Sequence, residues 1–316
     1  MSHAHGDCHT PWVSSGAANL LWGSGQLPTI NGMNSIATPR SSQLVSIGDA
    51  EIYTETLGSG EPVLLVAGLG GSAKFWHAQA DVLAQRYQVI LHDHRGVGRS
   101  SSTRNVQGAA ELADDLLRVM DSLGIASAHL VGHSTGGAIG QHIALTAAQR
   151  IKSLVLSASW AGPTPLFEQT FKTRRDVLVN SGVRDYFMVG TLLASPAWYL
   201  QGCFRSADDY FRDRVTDFPG LDVELGRLHA VMTHDLRDQI PAIRVPTFVI
   251  CARDDQLTPP AMSEELARLI PGAELVVLPE GGHFCPATVT ATYNEQVLGF
   301  LARQTAGASA SISIAR

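Results

Sequence analysis

One stretch constrains the fold more than any other: Ala128-His-Leu-Val-Gly-His-Ser-Thr-Gly-Gly-Ala-Ile-Gly-Gln-His-Ile-Ala-Leu145. A short apolar run ends in Gly132-His-Ser-Thr-Gly136, and a helix-compatible segment follows at once. A serine on such a tight strand-to-helix turn has a strained backbone. Glycines two residues to either side leave room where a Cβ would collide with neighbouring chain. The helix that follows points its first N–H groups, and its positive dipole end, toward charge developing on a substrate oxygen.

The segments around this turn read as alternating strands and helices. Leu44–Ile47 and Ala50–Glu55, split by Gly48-Asp49, form a hairpin pattern. Pro62-Val-Leu-Leu-Val-Ala67 is continuously apolar, as expected of a strand buried on both faces of a parallel sheet. It runs into the loop Gly68-Leu-Gly-Gly-Ser72 and a helix from about Phe75 to Arg86. A strand over Tyr87–His92 ends in Asp93-His-Arg-Gly-Val-Gly-Arg-Ser100. Leu112, Leu116, Val119, Met120 and Leu123 recur at helical spacing, and Asp114 and Asp115 are placed on that helix's solvated face. Further strands are read at Ile151–Ala158, Val245–Ala252 and Ala273–Leu278. The fold class that follows is α/β: a doubly wound, mostly parallel eight-stranded sheet.

Between Trp160 and Ile240 the alternation stops. Helical pieces are read over Phe167–Asn180, Val183–Ala194, Ala207–Thr216 and Leu225–Leu236, with no strand among them. An inserted helical cap over residues 161–240 is expected, with the core in residues 43–160 and 241–303. Residues 1–42, rich in Gly, Ser, Asn, Pro and His, read as a flexible extension, and 304–316 as a flexible tail. His3, His5, Cys8 and His9 within that extension are read as adventitious chelators and no more. Most cap aromatics, among them Trp198, Tyr199, Phe204, Tyr210 and Phe211, are expected to pack the cap. Trp160, Phe187 and Trp198 are the candidates for touching substrate. Lys172, Arg174 and Arg175 read as a solvated basic face that could instead draw in an anion.

Composition excludes several classes of function. A net charge of −6 and a pI near 6.0 argue against a nucleic-acid surface. No apolar run reaches the eighteen or so residues of a membrane helix. Four cysteines with no C-x-x-C pair do not suggest a disulfide framework, so a reducing cytoplasm is the expected location.

A serine hydroxyl is a weak nucleophile and needs an adjacent base held by a carboxylate. Cys251-Ala-Arg-Asp-Asp-Gln-Leu-Thr-Pro259 and Glu280-Gly-Gly-His283 both follow strands, so Asp255 and His283 fall at the same sheet edge as Ser134. The order Ser134, Asp255, His283 suits triad members supplied by successive strand ends. Asp254 is the alternative acid. Backbone N–H groups of Leu69 and Thr135 are the candidate oxyanion donors.

Three motifs, Gly68-Leu-Gly-Gly71, Asp93 to Ser100 and Gly132 to Gly136, together with the acid and histidine segments, resemble the α/β-hydrolase superfamily from about Gln43 to Arg303. Within it, Gly68–Ser72, Val179-Asn-Ser-Gly182, Ile250–Asp255 and Gly281-Gly-His283 are similar to RutD-type aminoacrylate hydrolases. Thr247–Ile250 and Thr258-Pro-Pro260 resemble 3-oxoadipate enol-lactonases nearly as well. One departure stands out: some RutD-type members lack a serine at the elbow, whereas Ser134 is present here. By resemblance, Asp93 to Ser100 is a structural turn, and His92 and His94 are not catalytic.

The implied activity is cleavage of a small-molecule ester, lactone or amide/carbamate-type bond through an acyl-enzyme, with no metal or organic cofactor. Carbon–carbon bond hydrolysis, cofactor-free dioxygenation and ligand reception on the same fold stay open. So does a homodimer.

Overall fold

A computed structural model describes residues 39–314 apart from 205, 207, 209, 210, 213, 215 and 216, with side chains described up to residue 306. His3, His5, Cys8, His9 and Tyr210 therefore lie outside the described residues. Eight strands form one sheet: β1 Arg40–Ser46, β2 Glu51–Leu57, β3 Pro62–Val66, β4 Gln88–His92, β5 Ala128–His133, β6 Ile151–Ser157, β7 Thr247–Ala252 and β8 Glu274–Leu278. Their order across the sheet is β1-β2-β4-β3-β5-β6-β7-β8. β1, β2 and β4 pair antiparallel, and every pair from β4 through β3 to β8 is parallel.

The period of two along the parallel strands divides the core into two layers. Leu64, Val66, Ile90, Leu130, Leu154, Leu156 and Val249 face one layer. They meet α2 (Ala109–Ser122), α3 (Thr135–Thr146) and the helix Pro260–Leu269. Val63, Leu65, Val89, Leu91, Val131, Val155, Phe248 and Ile250 face the other. There they meet α1 (His77–Leu83) and the last helix, Thr290–Ile314, through Tyr293, Val297, Phe300 and Leu301. Central strands so clad must be apolar on both sides, which is why their sequences lack polar alternation.

Among the described residues the segment between β6 and β7 is helical: α4 Pro165–Ser181, α5 Val183–Ala194, α6 Ala197–Cys203 and α7 Leu221–Thr233. Thr164 caps α4, accepting from the Phe167 N–H at 3.2 Å, with Pro165 in the first turn. α8 (Pro260–Leu269), α9 (Cys285–Thr288) and α10 (Thr290–Ile314) complete the chain.

Four sequence expectations need correction. β1 starts at Arg40, inside the expected extension 1–42, because pairing with β2 continues to Arg40↔Leu57 and the Arg40 guanidinium reaches Glu55 at 2.8 Å. Residues 304–314, expected as a flexible tail, continue helix α10. Alanines 302 and 306 favour that continuation. α7 begins one turn earlier than expected, after Gly220 at φ +102°, with Asp222 and Glu224 in its first turn beside the positive dipole end. Asp115 does not sit on a solvated face. It is buried, and Arg95 donates to its two oxygens at 2.6 and 2.8 Å.

Candidate active site

The elbow between β5 and α3 is strained where the motif requires. Ser134 has φ 54° and ψ −117°, a region that residues with a Cβ rarely occupy. Its N–H donates to the Ser157 carbonyl at 2.8 Å, and its own carbonyl accepts from Gly137 N–H at 2.9 Å and from Ser159 Oγ at 3.0 Å. These bonds over-determine the turn. A Cβ at residue 132 would lie 2.2 Å from the Gly136 oxygen, and one at residue 136 would lie 2.1 Å from the Val66 oxygen. Backbone meets backbone there, so neither position admits a larger residue.

Parallel strands end together, so the loops after β3, β5, β7 and β8 share one edge of the sheet. The loop after β3 passes directly against Ser134: a Cβ on Gly68 would stand 3.1 Å from the Ser134 Cβ. After β7, Asp255 is buried and held by backbone donors, with its Oδ1 accepting from the N–H groups of Leu257 at 2.8 Å and Thr258 at 2.9 Å. After β8, the left-handed Gly282 (φ 62°) turns the chain into His283, whose Nδ1 lies 2.9 Å from Asp255 Oδ2. The His283 ring is 4.9 Å, centroid to centroid, from the ring of His133, the neighbour of Ser134 in the elbow.

Asp254, the alternative acid, is engaged elsewhere. Its Oδ1 accepts from Gly282 N–H at 2.8 Å, so it ties the β7 loop to the one carrying His283. Thr258 joins the group: its hydroxyl is 2.8 Å from Asp255 Oδ2, 3.0 Å from the Ala158 carbonyl and 3.1 Å from His283 Nδ1. With one proton, that hydroxyl donates to the carboxylate or the carbonyl and presents its oxygen to the ring. Sequence marks Thr258 only by its place before two prolines.

Burial, and then the charge of nearby His283, hold the His133 imidazole well below its ordinary pKa. It stays neutral, stacked on Phe75 at 4.8 Å.

The loop after β3 is also gripped from the helical segment. Arg227 on α7 donates through Nε to the Leu69 carbonyl at 2.8 Å, and its Nη2 contacts both that oxygen and, at 3.4 Å, the Gly68 oxygen. In the trans peptide that joins Gly68 to Leu69 the N–H points opposite to the C=O, so Leu69 N–H faces away from the Arg227 contact on the Gly68 oxygen. Thr135 is the first residue of α3, and its N–H has no acceptor one turn back within the helix. Nothing in the sequence marks Arg227 for this place, since its partners are main-chain atoms roughly 160 residues away.

A family profile described as the alpha/beta hydrolase fold matches residues 61–194 and 206–286. The chain belongs to the α/β-hydrolase family. Over 253 residues it is 37% identical to a protein of Azorhizobium caulinodans named "Putative carbamate hydrolase RutD", spanning 80% of this chain and 96% of that one. The crystal structure of a hydrolase from Pseudomonas aeruginosa PA01 superposes with a TM-score of 0.73 at 30% identity, covering 83% of this chain and 98% of that one. The enol-lactonase from Burkholderia xenovorans LB400 superposes with a TM-score of 0.75, covering 82% of this chain and 100% of that one. At 24% identity that likeness speaks for the fold alone. The resemblance to RutD-type hydrolases read from the motifs is thus borne out, and that to enol-lactonases at the level of the fold.

In this α/β-hydrolase the Asp93 to Ser100 segment is a packed turn. Asp93 accepts from the N–H groups of Ala73 at 2.8 Å and Arg99 at 3.0 Å. Burial holds His92 at a pKa of about 4 and, with the Arg227 charge second, keeps His94 well below its ordinary value. The three aromatic candidates separate. Trp160 is fully buried, packed on Phe167 at 5.0 Å and against His234 at 5.5 Å. Phe187 is half-buried in the cluster that also holds Leu69, Ala138 and Tyr186. Trp198 is exposed, edge-on to Tyr199 at 5.9 Å. Cys251 and Cys285 are buried free thiols, and no helix among the described residues is long and apolar enough to cross a membrane.

Proposed function

We propose that the chain is a serine hydrolase acting on a small-molecule ester, lactone or carbamate-type bond, with Ser134 as nucleophile, His283 as base and Asp255 as the acid. The contact between His283 Nδ1 and Asp255 Oδ2 beside the strained serine carries this reading. With Nδ1 engaged, Nε2 is the nitrogen left to take the Ser134 proton as Oγ attacks the carbonyl carbon. Asp255 fixes the ring and stabilises the imidazolium that forms. The N–H groups of Thr135 and Leu69 receive the oxyanion, the latter on the side of its peptide opposite the Gly68 oxygen that Arg227 contacts. His283 returns the proton to the leaving group, water then repeats the attack, and the acyl group leaves as an acid.

The carbamate-type substrate is supported by relatives bearing that name at 35 and 37% identity. The helices between β6 and β7 act in this reading as a cap, since α7 reaches the loop after β3. A fluorophosphonate probe should label the native protein at Ser134, and Ser134→Ala should lose labelling together with more than about 10⁴-fold of kcat on a panel of small esters, lactones and carbamates. Turnover undiminished in Ser134→Ala would sink the proposal and favour chemistry that does not use the serine.

A further inference from the structure

The elbow carries a second imidazole. His133, the last residue of β5 and the neighbour of Ser134, is 1% exposed. Its Nδ1 lies 3.2 Å from Ser157 Oγ at the end of β6, a contact that fixes the rotation of the ring. The ring stacks on Phe75, from the short helix Ala73–Trp76 after β3, at 4.8 Å and 25°. His283 packs against it at 4.9 Å and 53°, and Phe284 at 6.4 Å and 43°. Phe75 and Phe284 are themselves 6.0 Å apart, so the group of rings closes on itself. A Cβ at Gly68 would stand 3.5 Å from His133 Cδ2, so the loop after β3 rests on the same side chain. One side chain thus meets the segments that leave β3 and β8 and the end of β6.

The backbone on both sides of His283 is held independently of these rings. Gly282 N–H donates to Asp254, and Phe284 N–H donates at 3.1 Å to the carbonyl of Ala194, the last residue of α5. A Cβ at residue 282 would come within 2.8 Å of that same carbonyl oxygen and of Pro196 Cδ, so the turn after α5 lies flat against the residue preceding the histidine. What these contacts leave free is the plane of the ring. Asp255 Oδ2 at 2.9 Å and the Thr258 hydroxyl at 3.1 Å both meet the single atom Nδ1. Hydrogen bonds tolerate roughly 30° of misalignment, so on their own they set that plane loosely. A catalytic constellation works within about 10–20°, and a misplacement of about 1 Å costs about 10²-fold in rate. The additional restraint on the ring is the flat group packed against it.

We propose that His133 is a positioning residue: its ring, locked by Ser157 and backed by Phe75, holds the plane of the His283 imidazole so that Nε2 faces the Ser134 hydroxyl. The proposal rests on the hydrolase reading for the roles of Ser134 and His283, and extends it by naming the side chain that orients the base. His133 exchanges no proton with substrate; it acts through His283. Loss of its ring therefore falls on kcat and on the reactivity of Ser134, and leaves substrate binding in place. Asn carries an amide group where Nδ1 stands, so His133→Asn keeps the means to meet Ser157 and removes the ring. His133→Phe does the reverse.

On p-nitrophenyl acetate, His133→Asn should lose at least about 30-fold in kcat with KM within about threefold, and its rate of fluorophosphonate labelling at Ser134 should fall in parallel. His133→Phe, which restores a flat face, should stay within about fivefold of the native protein in both. Thermal melts give the folded fraction, and rates are taken per folded molecule. His133→Leu, which fills space without a flat face, serves as a second ringless variant, and the Asn and Leu variants decide the matter if Phe does not fold. A smaller loss in the ringless variants overturns the proposal, as does a loss carried by KM or a folded Phe variant as impaired as Asn. Failure of both ringless variants to fold overturns it too, in favour of a purely structural role. Native protein labelled at Ser134 beside an Asn variant labelled as fast removes this inference alone, whereas native protein that takes no label removes the hydrolase reading and this one with it.

Discussion

Asp254 and Asp255 are adjacent and chemically identical, yet their hydrogen bonds assign them different work. Asp255 lies against His283 Nδ1, whereas Asp254 secures the Gly282 amide. Asp255→Asn should cost about 10⁴-fold in kcat with an unchanged unfolding midpoint, because the amide favours the wrong imidazole tautomer. Asp254→Ala should lower stability by about 1–2 kcal/mol, the cost of leaving the Gly282 N–H without its acceptor, with a far smaller loss of turnover. Steady-state kinetics and urea denaturation on both variants separate the roles, and equal kinetic losses would contradict the assignment. Thr258→Val should cost about tenfold in kcat, since its hydroxyl supports the same carboxylate and ring without exchanging a proton with substrate. The preference for Asp255 was legible in the sequence through its distance from Pro259. Thr258 and Arg227 were not, because their partners come from other loops and leave no local pattern.

At the level of elements, the β5–α3 elbow is the least tolerant part of the chain. Gly136→Ala sets a Cβ 2.1 Å from a backbone oxygen of β3, so the strand itself would have to move. A loss of more than about 4 kcal/mol, or failure to fold, is expected. One turn later, a Cβ at Gly140 would meet the methyl ends of Leu154 and Leu130 at 2.7 and 2.8 Å. Those ends can shift, so Gly140→Ala should cost about 1–3 kcal/mol. Chemical denaturation of the two variants tests the ranking, and a milder effect at 136 than at 140 would be inconsistent with this elbow. The strands of the sheet were readable because burial on both faces leaves continuous apolar runs. The edges of elements were less so: β1 is lengthened by pairing with β2, and Asp115 left the polar face of α2 because Arg95, from a loop after β4, came to meet it.

Across the whole molecule, buried histidines govern the response to acid. Burial is the leading cause that lowers His92 to about 4 and His234 to about 3, and it holds His94 and His133 well below the ordinary 6.5. The folded-state pKa of each is depressed, so the unfolded chain takes up protons first as pH falls below 6.5. Stability is therefore complete above that value and declines toward pH 4, by about 1.4 kcal/mol per pH unit for each such histidine at most. Glu55 acts in a lower window. Burial pushes its pKa up, but His77, Arg40 and Arg99 outweigh this and bring it down to about 2. Its contribution is present above its ordinary value of 4.5 and lost as pH falls toward 2. Unfolding free energies measured from pH 7 to pH 4 should slope upward with pH, and His92→Asn should flatten that slope. A flat profile over the interval would contradict burial of neutral imidazoles.

The sequence by itself determined the α/β sheet and the elbow, and it ordered Ser134, Asp255 and His283 along the chain as the proposed catalytic residues. Those depend on local periodicity, on glycines where backbones touch, and on motifs that each occupy a few consecutive residues. Only the tertiary structure decided which charges are buried and what faces them. Lys172, Arg174 and Arg175 all read as cations on one helix, and the folding of α4 against α5 exposes two and encloses the third. Desolvation depends on every neighbour at once, and those neighbours are assembled from segments far apart along the chain.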